Sequence, residues 1–183
     1  MQPETVVRSE RPFDGKLIRV RVDTVRLPDG RERQREVVEH PGAVGVLPVL
    51  TDGTLVLVRQ YRHPLRQVLW ELPAGLRDVD GEDPAVTAAR ELAEEAGLVA
   101  ARWEPLVTMH SSPGCSDEEV IIYLAGDLAP VAEQFTYSRV LEESTMTVHR
   151  VPLDEAVGMV ERGEITNGVC ALGLLAAWRR VNA

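Results

Sequence analysis

Cysteine is scarce in this chain of 183 residues: Cys115 and Cys170 are the two present, far apart and without metal-type spacing. That excludes a disulfide scaffold and a cysteine-rich zinc site, and leaves two reduced thiols. Lysine is scarcer still, with Lys16 alone against 19 arginines. Long hydrophobic runs are missing as well. The longest, residues 169–178, spans ten positions and includes Gly173, too short to cross a bilayer. Residues 1–4 lack the charged-then-apolar pattern of a secretion signal. There is no excess of positive charge: the formal net charge is −9, from 29 acidic and 20 basic side chains. This argues against a nonspecific binder of nucleic acid or of a membrane surface. Internal repeats and low-complexity linkers are absent too. The expectation is a cytoplasmic protein with a small-molecule partner, and neither nucleic acid nor membrane.

What is present is unevenly distributed. Residues 1–70 carry a net +3, residues 71–95 a net −6, and residues 96–183 a further −6. The arginines of the first third can form bidentate contacts with carboxylates or phosphates, which lysine cannot. Alternation over residues 17–27 predicts a half-buried strand, ended by a turn at Pro28-Asp29-Gly30, with a second strand beginning at 35–40. Residues 42–50 and 55–60 flank Thr51-Asp52-Gly53-Thr54, a hairpin signal. Short strands are expected at 69–73, 106–109, 119–126 and 146–151. Helices are expected at 84–96, 154–162 and 167–180, the last apolar enough for the core or a subunit contact. The mixture lacks βαβ regularity and reads as α+β.

The densest information lies in residues 75–98. Asp83-Pro84 supplies a helix N-cap and a first-position proline, and Gly97 a helix end. On that helix Glu91 and Glu95 are four apart and so share a face, with Glu94 flanking them. Three like charges in one turn repel each other, near a helix C-terminus where negative charge is disfavoured. A helix built only for stability would not carry them; a divalent cation turns the cost into a gain. Oxygen-only ligands suit Mg²⁺ or Mn²⁺ rather than zinc. Ala85, Ala88, Ala89, Leu92 and Ala96 form the opposite, close-packing face.

The run Gly75, Glu82, Arg90-Glu91-Leu92-Ala93-Glu94-Glu95-Ala96-Gly97-Leu98 resembles the Nudix box, G-x5-E-x7-R-E-U-x-E-E-x-G-U. The departure is that six residues, not five, separate Gly75 from Glu82. The surrounding stretches resemble the ADP-ribose pyrophosphatase branch of that family: residues 35–44, Gln60-Tyr61-Arg62-His63, Trp70-Glu71-Leu72-Pro73-Ala74-Gly75, and Pro113, sixteen residues beyond Gly97. The resemblance implies an α/β/α sandwich around a mixed sheet, preceded by an N-terminal antiparallel sheet. It divides the chain into residues 1–40, which such proteins often exchange in a homodimer, and a hydrolase domain, 41–183. It implies Mg²⁺-dependent hydrolysis of ADP-ribose to AMP and ribose 5-phosphate. Alternatives are another nucleoside diphosphate-linked substrate, such as a nucleotide sugar or dinucleotide, or an ADP-ribose sensor without turnover.

Carried over residue by residue, Glu91, Glu95 and the carbonyl of Ala74 would bind metal. Glu94 would be a further ligand or orient the attacking water. Glu82 and Arg90 would form a structural pair. Arg35 and Arg62 are candidates for phosphate, with Glu36 beside the first; Ser112 and Glu118 are candidates for sugar hydroxyls. Glu142 or Glu143, on a loop after the sheet, is the candidate general base. The histidines at 40, 63, 110 and 149 show no metal-ligand spacing.

Overall fold

In a computed structural model, which describes residues 3–132 and 145–182, the chain groups into two compact units. The first joins residues 1–42 to the distant segment 110–119; the second comprises 43–109 and 120–183.

The first unit is an antiparallel sheet of β1 (Thr5–Asp14), β2 (Arg19–Arg26) and β3 (Glu32–Glu39), in that order. The turn between β2 and β3 closes with Gly30 N–H donating to Leu27 O, and Gly30 takes a φ of 83° that favours glycine. The β1 strand was not anticipated. Its sequence does not alternate, and Pro12 interrupts it within a register shift between Glu10 and Phe13. A bulged edge strand tolerates such a proline. All ten residues of β1 are exposed. Segment 110–119 fastens onto β3: Val38 N–H donates to Cys115 O, and Asp117 N–H to Val38 O.

The second unit has two sheets and three helices among the described residues. One sheet is ordered β10 (Thr147–Pro152), β5 (Thr54–Arg62), β6 (Gln67–Glu71); the other is ordered β7 (Ala74–Leu76), β4 (Ala43–Pro48), β9 (Glu119–Pro130), β8 (Leu98–His110). The second sheet is mixed, since β4 runs parallel to β9 and antiparallel to β7. Along β4 the pleat separates two cores. Val44 and Val46, with Tyr123 and Ala125 of β9, meet Ala88 and Leu92 of α1 (Pro84–Ala96). Leu47 and Ile122 point the other way, onto Leu174 of α3 (Gly168–Val181), and α2 (Leu153–Glu161) adds Ala156 and Val157 to that layer. The result is the α/β/α sandwich of an α+β protein.

The expected hairpin around Asp52-Gly53 needs correcting. The turn exists, with Gly53 N–H on Leu50 O, but the strands on its two sides belong to different sheets; beside the turn they are joined by the bridge Val49–Leu55 and by Leu50 N–H on Thr54 O. A turn signal reports local geometry and not which neighbour a strand chooses. The strand expected at 106–109 likewise begins earlier, at Leu98, directly after α1.

Candidate active site on helix α1

Helix α1 starts and stops where its sequence directs. The Asp83 carboxylate accepts from Ala85 N–H at 2.8 Å, Pro84 opens the first turn, and Gly97 ends the helix in the left-handed region at φ 67°, donating back to Ala93 O. The extra residue before Glu82 is absorbed in a turn upstream, where Glu82 N–H reaches Val79 O and Gly81 has φ 77°. The helical register is untouched.

With α1 docked through its alanine face, Glu91 and Glu95 are carried inward, 7% and 5% exposed. The backbone N–H of Ala74 donates to Glu95 Oε2 at 2.9 Å. The Glu91 carboxyl lies against Gly75, where an added Cβ would come within 2.0 Å of Glu91 Cδ. The first glycine of the motif is thus a space requirement of its second glutamate. Arg90 Nη1 donates to Glu91 Oε1 at 2.6 Å and lies 3.6 Å from Glu94; Nη2 lies 3.6 Å from Glu82. Burial works against the Arg90 charge, but Glu91, Glu94 and Glu82 outweigh it and hold the guanidinium above its ordinary value. Thr87, fully buried, donates to Glu82 Oε2 at 2.7 Å. Sequence reasoning missed Thr87; the signal available was a polar residue one turn before Glu91 on the same face.

Among the described residues, no three His, Cys, Asp or Glu side chains stand close enough to hold an ion as placed. The donor set still fits a hard divalent cation: carboxylates only, two of them buried one helical turn apart, beneath a strand with no side chain at Gly75.

The other expected residues are distributed as follows. Arg62 forms a bidentate pair with Glu71, at 2.9 Å to Oε1 and 2.5 Å to Oε2, and Glu71 is 3% exposed. Arg35 pairs with Glu4 at 2.6 Å. Glu36, on β3, is exposed and borders the same cleft of the first unit as Arg35. Ser112 is an exposed turn residue whose carbonyl accepts from Cys115 and Ser116 N–H. Its neighbour Ser111 is the one that donates to Glu118 Oε2. His40 Nδ1 accepts from Gly42 N–H at 3.1 Å and lies 3.6 Å from Glu118 Oε1. Glu142 and Glu143 lie outside the described residues.

Residues 39–169 match the NUDIX domain, and residues 4–38 match the nucleoside diphosphate sugar hydrolase N-terminal domain. The chain belongs to the Nudix family and is by class a Nudix pyrophosphohydrolase; enzymes of this family use divalent cations. Within it, the chain is 46% identical over 170 residues to the ADP-ribose pyrophosphatase of Mycobacterium tuberculosis, an alignment covering 93% of this chain and 81% of that one. It is 37% identical over 171 residues to the ADP-ribose pyrophosphatase of Bacillus subtilis, covering 93% and 90%. A crystal structure of an ADP compounds hydrolase superposes with a TM-score of 0.82 at 25% identity, covering 100% of this chain and 97% of that one. No helix among the described residues is long and apolar enough to cross a membrane.

Proposed function

We propose that this protein is a Mg²⁺-dependent ADP-ribose pyrophosphatase, in which water adds to the pyrophosphate and the bridging P–O bond breaks to give AMP and ribose 5-phosphate. The observation that carries the reading is the buried pair Glu91 and Glu95 under Gly75, in a chain so similar to two ADP-ribose pyrophosphatases. Glu91, Glu95, Glu94 and the Ala74 carbonyl would hold the cation, which when bound polarises phosphoryl oxygens and lowers the pKa of a water. Arg90 holds Glu91 and stands between Glu82 and Glu94, so the carboxylates are oriented before the cation arrives. Arg35 and Arg62 would exchange their carboxylate partners for phosphate oxygens, a bidentate substitution suited to guanidinium. Glu36 flanks Arg35 on the substrate. Glu118, braced by Ser111, would accept from vicinal sugar hydroxyls, with Ser112 beside it. Glu142 or Glu143 would act as general base.

A homodimer that exchanges residues 1–40 is supported by a first strand exposed along its whole length, with its Val6 and Phe13, and Leu17 after it, each more than half exposed. Free Cys115 and Cys170 suit a reducing cytoplasm. The match of residues 4–38 to the N-terminal domain of nucleoside diphosphate sugar hydrolases favours a second reading, a nucleotide-sugar substrate. Specificity constants over a panel of ADP-ribose, nucleotide sugars and dinucleotides decide between them. ADP-ribose is expected to lead the panel, and a clear preference for another member overturns the first reading. Glu142→Gln and Glu143→Gln, compared at constant metal binding, identify the base; if neither slows turnover, the base lies elsewhere.

A further inference from the structure

The first unit contains an open cleft of about 670 Å³, bordered by β2, β3 and the 113–117 segment. That volume falls within the roughly 300–1,000 Å³ usual for small-molecule sites. Arg35, Glu36, Cys115 and Asp117 border it, and so does Asp23, at the centre of β2. Asp23 differs from its neighbours in being 5% exposed. In register it faces Ser9 of β1 on one side and Arg35 of β3 on the other. Its Oδ2 accepts from Arg21 Nε at 2.9 Å. Its Oδ1 is buried and, among the described residues, makes no hydrogen bond. A buried acceptor left unpaired is destabilising, more so when charged, so native structures rarely retain one without a use. Paired with the Arg21 guanidinium, the carboxyl is ionised. At neutral pH the group therefore only accepts.

We propose that Asp23 is a specificity-determining residue whose Oδ1 accepts a hydrogen bond from an N–H or O–H of the bound substrate. The donor is the exocyclic amine of its nucleobase or a hydroxyl of its sugar. The proposal rests on the nucleotide-substrate reading above. A keto base would present an oxygen to an anionic oxygen and be rejected; a deoxy sugar would leave the acceptor unfilled.

Asp23→Asn turns this into a test of polarity. Arg21 Nε keeps the amide oxygen on its own side, so the –NH₂ takes the place of Oδ1 and a donor replaces an acceptor. Steady-state kcat/KM is measured with Mg²⁺ for wild type and Asp23→Asn on ADP-ribose, on its hypoxanthine counterpart, and on ADP-ribose lacking one hydroxyl of either ribose. If the amine is the donor, wild type favours adenine over hypoxanthine and Asp23→Asn shifts that ratio at least tenfold toward hypoxanthine. If a hydroxyl is the donor, Asp23→Asn loses at least tenfold on both bases equally, and the wild-type penalty for the missing hydroxyl disappears in the variant. A uniform loss on every substrate marks a merely structural residue and overturns the proposal, as does an unchanged variant. Wild type alone also tests it, without any folding risk: turnover of all four substrates within threefold overturns it. Absence of turnover on all of them overturns the nucleotide reading together with it, which separates the two failures.

Discussion

Helix α1 and the N-terminal sheet are both dense in carboxylates and guanidinium groups, and they use them differently. In the sheet, Arg8–Glu10, Arg19–Asp14 and Arg26–Glu32 are pairs whose side chains stay about half exposed or more. Such pairs contribute about 0–1 kcal/mol each, because water solvates the separated charges nearly as well. On α1 the carboxylates of Glu91 and Glu95 are taken out of water, and one guanidinium stands within 4 Å of three glutamates. Burying charge costs several kcal/mol per ion unless neutralised. A region that accepts that cost is built for chemistry, and one that avoids it is built for solubility and shape. Asp23, 5% exposed, is the place where the sheet departs from its own pattern.

The comparison breaks first at the glutamates. Glu91→Gln and Glu95→Gln are each expected to lower kcat/KM by about 10²-fold or more, roughly 2.7 kcal/mol of transition-state stabilisation. The melting temperature should fall little or rise, since a buried charge is removed. A variant within twofold of wild-type activity removes Glu91 or Glu95 from the metal site. Next comes Gly75→Ala. The new Cβ collides with the Glu91 carboxyl, so the rate should fall as in Glu91→Gln, with about 1–3 kcal/mol of destabilisation from overpacking, read by urea unfolding. Asp83→Ala should cost about 1 kcal/mol of stability through the lost cap, with kcat/KM nearly unchanged. A large kinetic effect there would show that the cap, and not the carboxylate face, sets the site.

Asp23 also links stability to pH. A carboxyl held below its unfolded value stabilises the fold above about pH 3.9, and that contribution is lost as the pH falls through the depressed value. Urea midpoints followed downward from pH 5 should therefore fall less steeply in Asp23→Asn than in wild type. Asp14→Asn sets the lower end of the scale, with a change within about 0.5 kcal/mol because its pair is exposed.

Much of the site was legible in the sequence because its rules are local. Proline after aspartate, glycine after the last turn, and glutamates four apart are enough to place α1 and its carboxylate face. What stayed hidden is set by partners distant in the chain. Segment 110–119 joins β3 through Val38, a contact no local pattern announces. Thr51-Asp52-Gly53-Thr54 signals a turn but not that β4 and β5 part into separate sheets. β1 was hidden because an exposed edge strand has no buried face to impose alternation. Asp23 was hidden for the opposite reason: on β2 it and Val25, on one row, are buried further than the valines at 20 and 22, which alternation would favour. Arg62 was a phosphate candidate by motif, yet only the fold could reveal its pairing with buried Glu71.

The central claim is that α1 tolerates buried carboxylates because they bind a divalent cation. Manganese is the most direct probe, because its binding can be followed by electron paramagnetic resonance without any turnover. Wild type is expected to bind Mn²⁺ competitively with Mg²⁺, and the doubly substituted Glu91→Gln, Glu95→Gln protein to bind at least tenfold more weakly while retaining a wild-type circular dichroism spectrum. Equal Mn²⁺ affinity in the two folded proteins would contradict the account.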